Sequence, residues 1–138
     1  MGVHLAVQVA LPVPVPKTFT YLLPPPMEAA CLPGCRVRVP FGRKSLIGVA
    51  VAVGPEAEFR GDLRNVVEVL DSAPSVSGEL LDFTRWLADY YFAPWGLVLQ
   101  AALPASLRTP TRRTLEISQA GREILEDPFS RAPALHRR

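Results

Sequence analysis

Prolines divide the first half of this 138-residue chain into short segments, and this constrains the fold more than any other feature. Pro12, Pro14 and Pro16 lack the backbone N–H that a sheet ladder requires, so this stretch is predicted to be an extended edge or polyproline-like segment and not a central strand. Three more prolines, at residues 24–26, close the β-prone segment that follows. The sequence therefore predicts short strands joined by tight connections.

Five segments have the alternation or the valine-rich content of β-strands. They are residues 3–11, 18–23, 35–39, 46–53 and 63–70. The third alternates arginine with valine, which predicts one buried face and one cationic face bearing Arg36 and Arg38. Because the connections are too short for crossover helices, we expect a small β-barrel and not a layered α/β fold.

The apolar pattern changes to a helical period after residue 76. Ser77 is predicted to cap a helix over about residues 77–92, with Glu79 in the first turn and Pro94 as the stop, and a second helix is predicted over about residues 97–103. The apolar positions of the first helix are Leu80, Phe83, Leu87 and Tyr90. Helical spacing predicts that most aromatic side chains here are core residues. They are Trp86, Tyr90, Tyr91, Phe92 and Trp95.

The last part of the chain has the pattern of a second, incomplete unit. A strand over residues 114–117 and a helix from Ser118 to about Glu126 cannot bury a core of their own. We therefore expect one domain over residues 1–107, and over residues 108–138 the start of another domain that is truncated. The fold class expected for the whole chain is mainly β with C-terminal helices.

The net charge of +2 is unevenly distributed: residues 1–55 carry +4, residues 56–105 carry −5 and residues 106–138 carry +3. Such asymmetry favours a polyanionic partner for the basic parts. No apolar run approaches the roughly 20 residues of a membrane span. The first residues also lack the cationic region of a signal peptide, so a cytoplasmic location is expected.

No residue set has the spacing of a catalytic or metal site. Cys31 and Cys35 have no second pair of ligands, so we interpret them as reduced thiols and not as half of a zinc site. Residues 42–45 (GRKS) lack the first glycine of a phosphate-binding loop, and a strand follows them where that motif requires a helix. We therefore expect no enzymatic activity, cofactor or metal in this chain.

One region has the composition of a nucleic-acid-binding surface. A predicted loop over residues 40–44 carries Phe41, Arg43 and Lys44 beside the strand that bears Arg36 and Arg38. Small barrels bind single-stranded DNA in this way, with cations along the phosphates and an aromatic ring on a base. A protein-binding barrel of the SH3 type has a similar composition, so the residues alone leave both functions open.

Several runs, in this order and spacing, resemble the amino-terminal region of the primosomal protein N′ family of replication-restart helicases. They are residues 9–19 (VALPVPVPKTF), 34–42 (GCRVRVPFG), 67–71 (VEVLD), 86–91 (WLADYY) and 103–108 (LPASLR). Residues 120–122 (AGR) are similar to the family's lead-in to its winged-helix domain.

This resemblance implies a function. In the family, a small β-rich domain binds the 3′ end of the nascent leading strand at a stalled fork, a winged helix contacts the fork, and a two-lobed motor unwinds DNA from 3′ to 5′ with ATP. Zinc and ATP with magnesium are expected only in that motor, which this chain lacks. The expected partners are DNA, single-stranded or forked with a recessed 3′ end, and other primosome or single-strand-binding proteins at the bacterial nucleoid.

The resemblance also implies a 3′-end pocket formed by Phe19, Thr20, Gly42 and Arg64. The aromatic ring would hold the terminal base, the polar group the terminal hydroxyl, the glycine would allow close approach and the cation would hold a phosphate. Thr20 stands where the family has aspartate, and its neutral hydroxyl forms a weaker hydrogen bond than a carboxylate. Arg64 stands where lysine is usual. The other predicted DNA-binding residues are Lys17, Arg36, Arg38, Phe41, Arg43 and Lys44.

Two other functions remain as alternatives to DNA-fork binding. One is an RNA-binding barrel, such as an accessory domain of a tRNA-modifying enzyme. The other is a protein-interaction barrel, whose binding would not depend on salt as phosphate contacts do.

Overall fold

The computed structural model describes residues 4–56, 62–108 and 119. Its main element is a five-stranded antiparallel sheet with the strand order β2-β1-β4-β3-β5. The strands are β1 (Leu5–Ala10), β2 (Phe19–Leu23), β3 (Arg36–Phe41), β4 (Lys44–Pro55) and β5 (Glu68–Val69). The helices are α1 (Pro25–Glu28), α2 (Gly78–Tyr91), α3 (Trp95–Ala102) and α4 (Ala105–Arg108). The fold is thus mainly β with C-terminal helices, as predicted.

The sheet is not closed by a continuous ladder, but its two edges are bridged. Residues 64–66 precede β5 at one edge and form a parallel bridge to β2 at the other, between Leu22 and Asn65. The Leu22 N–H donates to the Arg64 carbonyl and the Val66 N–H donates to the Leu22 carbonyl, both at 2.9 Å. A register shift between β1 and β4 at Gln8 and Val9 is a bulge, and bulges bend a strand. The predicted barrel is therefore a bridged, open sheet.

One face of the sheet encloses a hydrophobic cluster that we call the inner core. Its buried members are Val7, Val9, Leu11, Tyr21, Leu23, Cys31, Val37, Val39, Ala50 and Val66. Val37 and Val39 are fully buried on β3 whereas Arg36 and Arg38 are not, so the predicted alternation of this strand is confirmed. Cys31 and Cys35 are free and buried, and burial, with a smaller contribution from Cys35, raises the pKa of Cys31 to about 11.

Helices α2 and α3 pack on the other side of the sheet and form an outer core with β1 and β4. Its buried members are Ala10, Val49, Val76, Leu81, Leu99 and Leu103. A side chain at Gly96 would overlap the carbonyl of Leu11, so the glycine allows α3 to lie directly on the chain after β1. The Trp95 indole N–H donates to the Thr84 hydroxyl at 3.1 Å and joins α3 to α2.

The predicted helix start is confirmed, because the Ser77 hydroxyl accepts a hydrogen bond from the Leu80 N–H at 3.2 Å. The helix ends at Tyr91, close to the predicted end at about residue 92, and its C-cap is Phe92, which has a left-handed φ of 53°. Helix α3 begins at Trp95 and not at residue 97, since Pro94 serves as its N-cap. No helix among the described residues is long and apolar enough to cross a membrane.

The prediction that most aromatic residues of this region are core residues is wrong. Trp86, Tyr90, Tyr91 and Phe92 are all more than half exposed, and so is Phe83. The face of α2 that is buried carries Leu81, Thr84 and Ala88, which are also at helical spacing. Small side chains at positions 84 and 88 allow close packing, and hydrophobicity alone does not reveal which of two helical faces will be covered.

One strand prediction and one loop prediction also need correction. Residues 63–70 do not form one strand: only Glu68 and Val69 join the sheet as β5, and Asn65 makes the isolated bridge to Leu22. The predicted basic loop over residues 40–44 belongs mostly to the strands, as described below. The strand and helix predicted over residues 114–126, and with them the second unit, lie outside the described residues, so the domain boundary at residue 107 stays a prediction.

Candidate nucleic-acid interface

The predicted basic loop is the tip of a tight β-hairpin. Phe41 ends β3 and pairs with Lys44, the first residue of β4, so the turn itself has two residues, Gly42 and Arg43. Gly42 has φ +60°, as the first central residue of a type II′ turn requires. Apart from Gly42 itself and its two chain neighbours, no described residue has an atom within 4 Å of the position that a Cβ at Gly42 would occupy. The hairpin therefore holds Phe41 and Lys44 on strand ends and Arg43 on the turn, and it leaves space above the glycine.

Arg64 connects this hairpin to the opposite edge of the sheet. Its Nη1 donates to the carbonyl oxygen of Gly42 at 3.1 Å, while its own carbonyl accepts the hydrogen bond from Leu22 of β2. The side chain is exposed. Two of the predicted pocket residues, Arg64 and Gly42, are thus in direct contact. A backbone hydrogen bond joins Arg64 to a third segment, β2.

Phe19 joins β2 to the β3–β4 hairpin. Its ring packs edge-on against the ring of Phe41, with 5.4 Å between centroids, and the Lys17 ammonium lies 5.3 Å from the centre of the Phe19 ring. Phe19 is only partly buried and packs at the margin of the inner core. It therefore has a core contact on one side and an accessible portion next to a cation on the other.

Thr20 lies on the opposite face of β2 from Phe19, because successive side chains of a strand alternate. It pairs with Gln8 of β1, whereas Phe19, Tyr21 and Leu23 belong to the inner-core side. The backbone N–H and carbonyl of Leu22 point away from β1 toward residues 64–66, and those of Thr20, two residues earlier, have the same direction. Within the described chain no group takes up these two hydrogen bonds of Thr20, so the edge beside Arg64 has a free donor and acceptor.

Tyr21 supports the site, and the sequence analysis missed this role. Its buried hydroxyl donates to the carbonyl of Pro40 at 2.9 Å and so fixes β2 against the end of β3. Burial raises the pKa of Tyr21, and the nearby Arg64 charge partly offsets that rise. The sequence shows a tyrosine at this position, but the partner of Tyr21 is a main-chain carbonyl, which a sequence motif cannot identify.

The predicted arginines of β3 are in different environments from the hairpin cations. Arg36 is bound to Asp71 through Nε and Nη2, and its Nη1 donates to the carbonyl of Leu107 at 3.1 Å. Arg38 is more exposed and forms an ion pair with Glu68 at 2.9 Å. Arg43 and Lys44 form no ion pair with any residue in the described ranges. Among the predicted DNA-binding cations, those without an ion pair in the described ranges are therefore the hairpin residues Arg43 and Lys44, together with Lys17 and Arg64.

A family model described as the 3′ DNA-binding domain (3′BD) matches residues 8–104. The chain belongs to this family. The match includes Lys17, Phe19, Thr20, the β3–β4 hairpin and Arg64, so all the residues that the structure brings together lie within the 3′BD. The resemblance found in the sequence is confirmed, and DNA binding follows from the family.

Relatives of the 3′BD chain include the replication restart protein PriA of Haemophilus influenzae, 33% identical over 127 residues, which are 87% of this chain and 17% of the relative. Another is replication restart protein PriA of Bacillus subtilis, 30% identical over 105 residues, which are 75% of this chain and 13% of the relative. This 3′BD chain thus spans less than a fifth of the length of the relatives it matches. Within the described residues no group of three or more metal-ligating side chains is placed to hold a metal ion.

Proposed function

We propose that this domain binds the 3′ end of the nascent leading strand at a stalled replication fork. The Phe19 ring, with Phe41 behind it, takes the terminal base. Thr20, at the edge of β2, forms a hydrogen bond with the terminal hydroxyl through its side-chain hydroxyl or through its backbone N–H and carbonyl. Arg64 and Lys17 contact the last phosphates, and Arg43 and Lys44 extend the cationic surface along the strand.

The observation that carries this proposal is the hydrogen bond between Arg64 and the Gly42 carbonyl. It joins a hairpin tip, a sheet edge and a connecting segment that are far apart in sequence. Around this contact lie an accessible aromatic ring, two cations without ion pairs in the described chain, and the free backbone groups of Thr20. This combination fits the end of a nucleic-acid strand better than a peptide, because it provides one stacking ring and several separated cations.

The relatives named above are replication restart proteins, and we propose that the protein containing this domain has the same role at the bacterial nucleoid. In that role the 3′BD positions an ATP-dependent motor on the fork, and the motor unwinds DNA from 3′ to 5′. Zinc and ATP with magnesium would be bound by that motor, and other primosome or single-strand-binding proteins would meet the protein at the fork. The 3′BD itself contributes recognition and no chemistry.

The test is a fluorescence titration of the domain with paired DNA substrates. One substrate has a recessed 3′-hydroxyl at a fork, the second has the same fork with a 3′-phosphate, and the third is a blunt duplex of the same sequence. We expect the first to bind most tightly, since the terminal hydroxyl can be bonded and a terminal phosphate is bulkier and charged.

Two results would contradict the proposal. Equal affinity for the hydroxyl and phosphate ends would show that the 3′ group is not recognised. Tighter binding of a tRNA than of the forked DNA at the same salt concentration would instead favour the RNA-binding alternative.

A further inference from the structure

A second concave surface lies beside the candidate 3′-end site, on the outer side of the sheet. It is a groove of about 650 Å³ between the start of β2 and the junction of α2 with α3. The residues that line it are Gln8, Pro16, Lys17, Thr18, Arg85, Ala88, Asp89, Phe92, Ala93 and Trp95. Sites for small organic groups have volumes of about 300–1,000 Å³, so one or two nucleotides fit this space.

The lining of the groove combines cations with aromatic rings. Arg85 lies over the Trp95 ring, 5.4 Å from its centre, and Lys17 enters the groove from the other side. Gln8 and Asp89 add an amide and a carboxylate, which can bond the amino and imino groups of bases. Phosphate on the cations, bases on the rings and base edges on the polar groups are the contacts that single-stranded nucleic acid makes with proteins.

Phe92 has the most unusual conformation in this groove. It is 94% exposed, and it occupies the left-handed position after the last turn of α2 with φ 53°. Helices that end in this way usually have glycine there, since a side chain is disfavoured at positive φ. A bulky aromatic residue thus holds a strained position without burying its ring, and backbone strain of this kind is concentrated at functional sites.

We propose that this groove binds the nucleotides that precede the 3′-terminal nucleotide of a single DNA strand. The ring of Phe92 stacks on a base, and Arg85 and Lys17 contact the phosphates on either side of it. The proposal rests on the proposed function, because it assigns the groove to the strand whose end lies at Phe19.

Lys17 makes the two sites continuous. Its ammonium lies over the Phe19 ring of the 3′-end site, and the same residue lines the groove. Thr18 lines the groove and Thr20 lies on the same face of this segment, next to Gln8. Lys17 is therefore placed to contact a strand that runs from Phe19 across this edge into the groove. This continuity favours DNA over a peptide as the occupant.

The experiment uses decanucleotides with a free 3′-hydroxyl in which one base is replaced by an abasic site. The abasic site occupies, in turn, each of the three positions before the terminal nucleotide, or a position near the 5′ end as a control. Affinities are measured for the full chain and for Phe92→Gly, which removes the ring and suits the left-handed backbone. Trp86→Ala is the matched variant, because Trp86 is an exposed aromatic of the same helix outside the groove.

Phe92→Gly should bind the intact decanucleotide about fivefold or more weakly, the loss expected for one stacked base, without a lower melting temperature. An abasic site before the terminal nucleotide should weaken binding to the parent and to Trp86→Ala but add little to Phe92→Gly, since both changes remove the same contact. Arg85→Gln should weaken the intact strand at low salt concentration.

Unchanged affinity of Phe92→Gly for the intact strand, or abasic losses that simply add to it, would overturn the groove assignment. Failure of the 3′-end proposal has a different signature. In that case the parent would not distinguish a 3′-hydroxyl from a 3′-phosphate, whereas the effects of Phe92→Gly and of the abasic sites would persist. If the groove alone is wrong, that discrimination remains and these effects vanish.

Discussion

Arg36 and Asp71 form a bidentate ion pair that connects β3 to the chain after β5, with the Arg36 Nη2 at 2.7 Å from Asp71 Oδ1. The backbone N–H of Arg36 and the hydroxyl of Ser75 also donate to Asp71 Oδ2. Both side chains are largely buried, at 15% and 8% exposure. This arginine therefore stabilises the fold, although its position in an Arg-Val strand predicted a phosphate contact.

The pair gives stability a predictable pH dependence. Burial alone would raise the pKa of Asp71, but hydrogen bonds from Arg36 and Ser75 outweigh it and hold that pKa below the ordinary 3.8. A depressed carboxyl pKa contributes stability above its unfolded value and loses it as the pH falls through the folded value. Asp71→Asn should thus lower the free energy of unfolding by about 2 kcal/mol at neutral pH, and the difference from the parent should shrink below about pH 4. Urea titrations at several pH values measure this difference in the free energy of unfolding. Glu68→Gln is the control: Glu68 pairs with Arg38 in a more exposed ion pair, so its substitution should lower the free energy of unfolding by less.

Arg64 should contribute to binding and little to stability, because its side chain is exposed. Arg64→Met removes both the charge and the contact with Gly42, so affinity for 3′ ends should fall, and the salt slope should lose about 0.7 for one phosphate. Arg64→Lys keeps the charge and should retain most of the affinity. Titrations over a range of salt concentrations compare the two variants. Equal losses for lysine and methionine would mean that the guanidinium contact with Gly42, and not the charge, is what matters.

Phe19 is expected to affect both binding and folding, since its ring faces Phe41 and the margin of the inner core. Phe19→Ala should weaken 3′-end binding about tenfold, the equivalent of a lost base stack worth about 1–3 kcal/mol, and should also lower the melting temperature. Phe19→Leu separates the two effects because it fills most of the core volume but cannot stack. If Phe19→Leu binds as tightly as the parent, the ring is a core residue only.

The four cations of the candidate interface should determine the salt dependence of DNA binding. With Lys17, Arg43, Lys44 and Arg64 on phosphates, the logarithm of the affinity for single strands should fall with a slope of about −2 to −3 against the logarithm of the salt concentration. Arg43→Glu should weaken binding and reduce the slope, with an unchanged circular dichroism spectrum, because this residue is exposed on the turn. A flat salt response in the parent would reject the cationic surface.

Thr20 is the position at which selectivity can be increased. Thr20→Asp places a carboxylate at the edge of β2, where it accepts from a 3′-hydroxyl and repels a 3′-phosphate. The ratio of affinities for the two ends should therefore rise above that of the parent. Thr20→Val is the control: it keeps the shape of the side chain, and its ratio should stay at or below the parent's. No change with aspartate would mean that the strand end does not reach this side of β2.

Local sequence signals predicted most of the elements. Alternating valines identified β1 and β3, and Ser77 fixed the start of α2, because these signals depend on neighbours along the chain. Contacts between side chains that are far apart in the sequence could not be predicted from such local signals. The family resemblance implied that Phe19, Gly42 and Arg64 meet, but it gave no reason for Thr20 to lie on the other face of β2 or for Tyr21 to bond Pro40.

The sequence by itself determined the strand and helix periods, the start of α2 at Ser77 and the concentration of positive charge before residue 55. Only the tertiary structure decided which of the charged side chains form ion pairs and which aromatic rings are exposed. It placed Arg36 in an ion pair with a residue 35 positions away, whereas Arg43 and Lys44 form no ion pair with any described residue. It also buried the face of α2 that carries Leu81, Thr84 and Ala88, and it left the face with the aromatic rings exposed. The physical reason is that periodicity fixes which residues share a face, whereas burial and pairing depend on what the rest of the chain brings against that face.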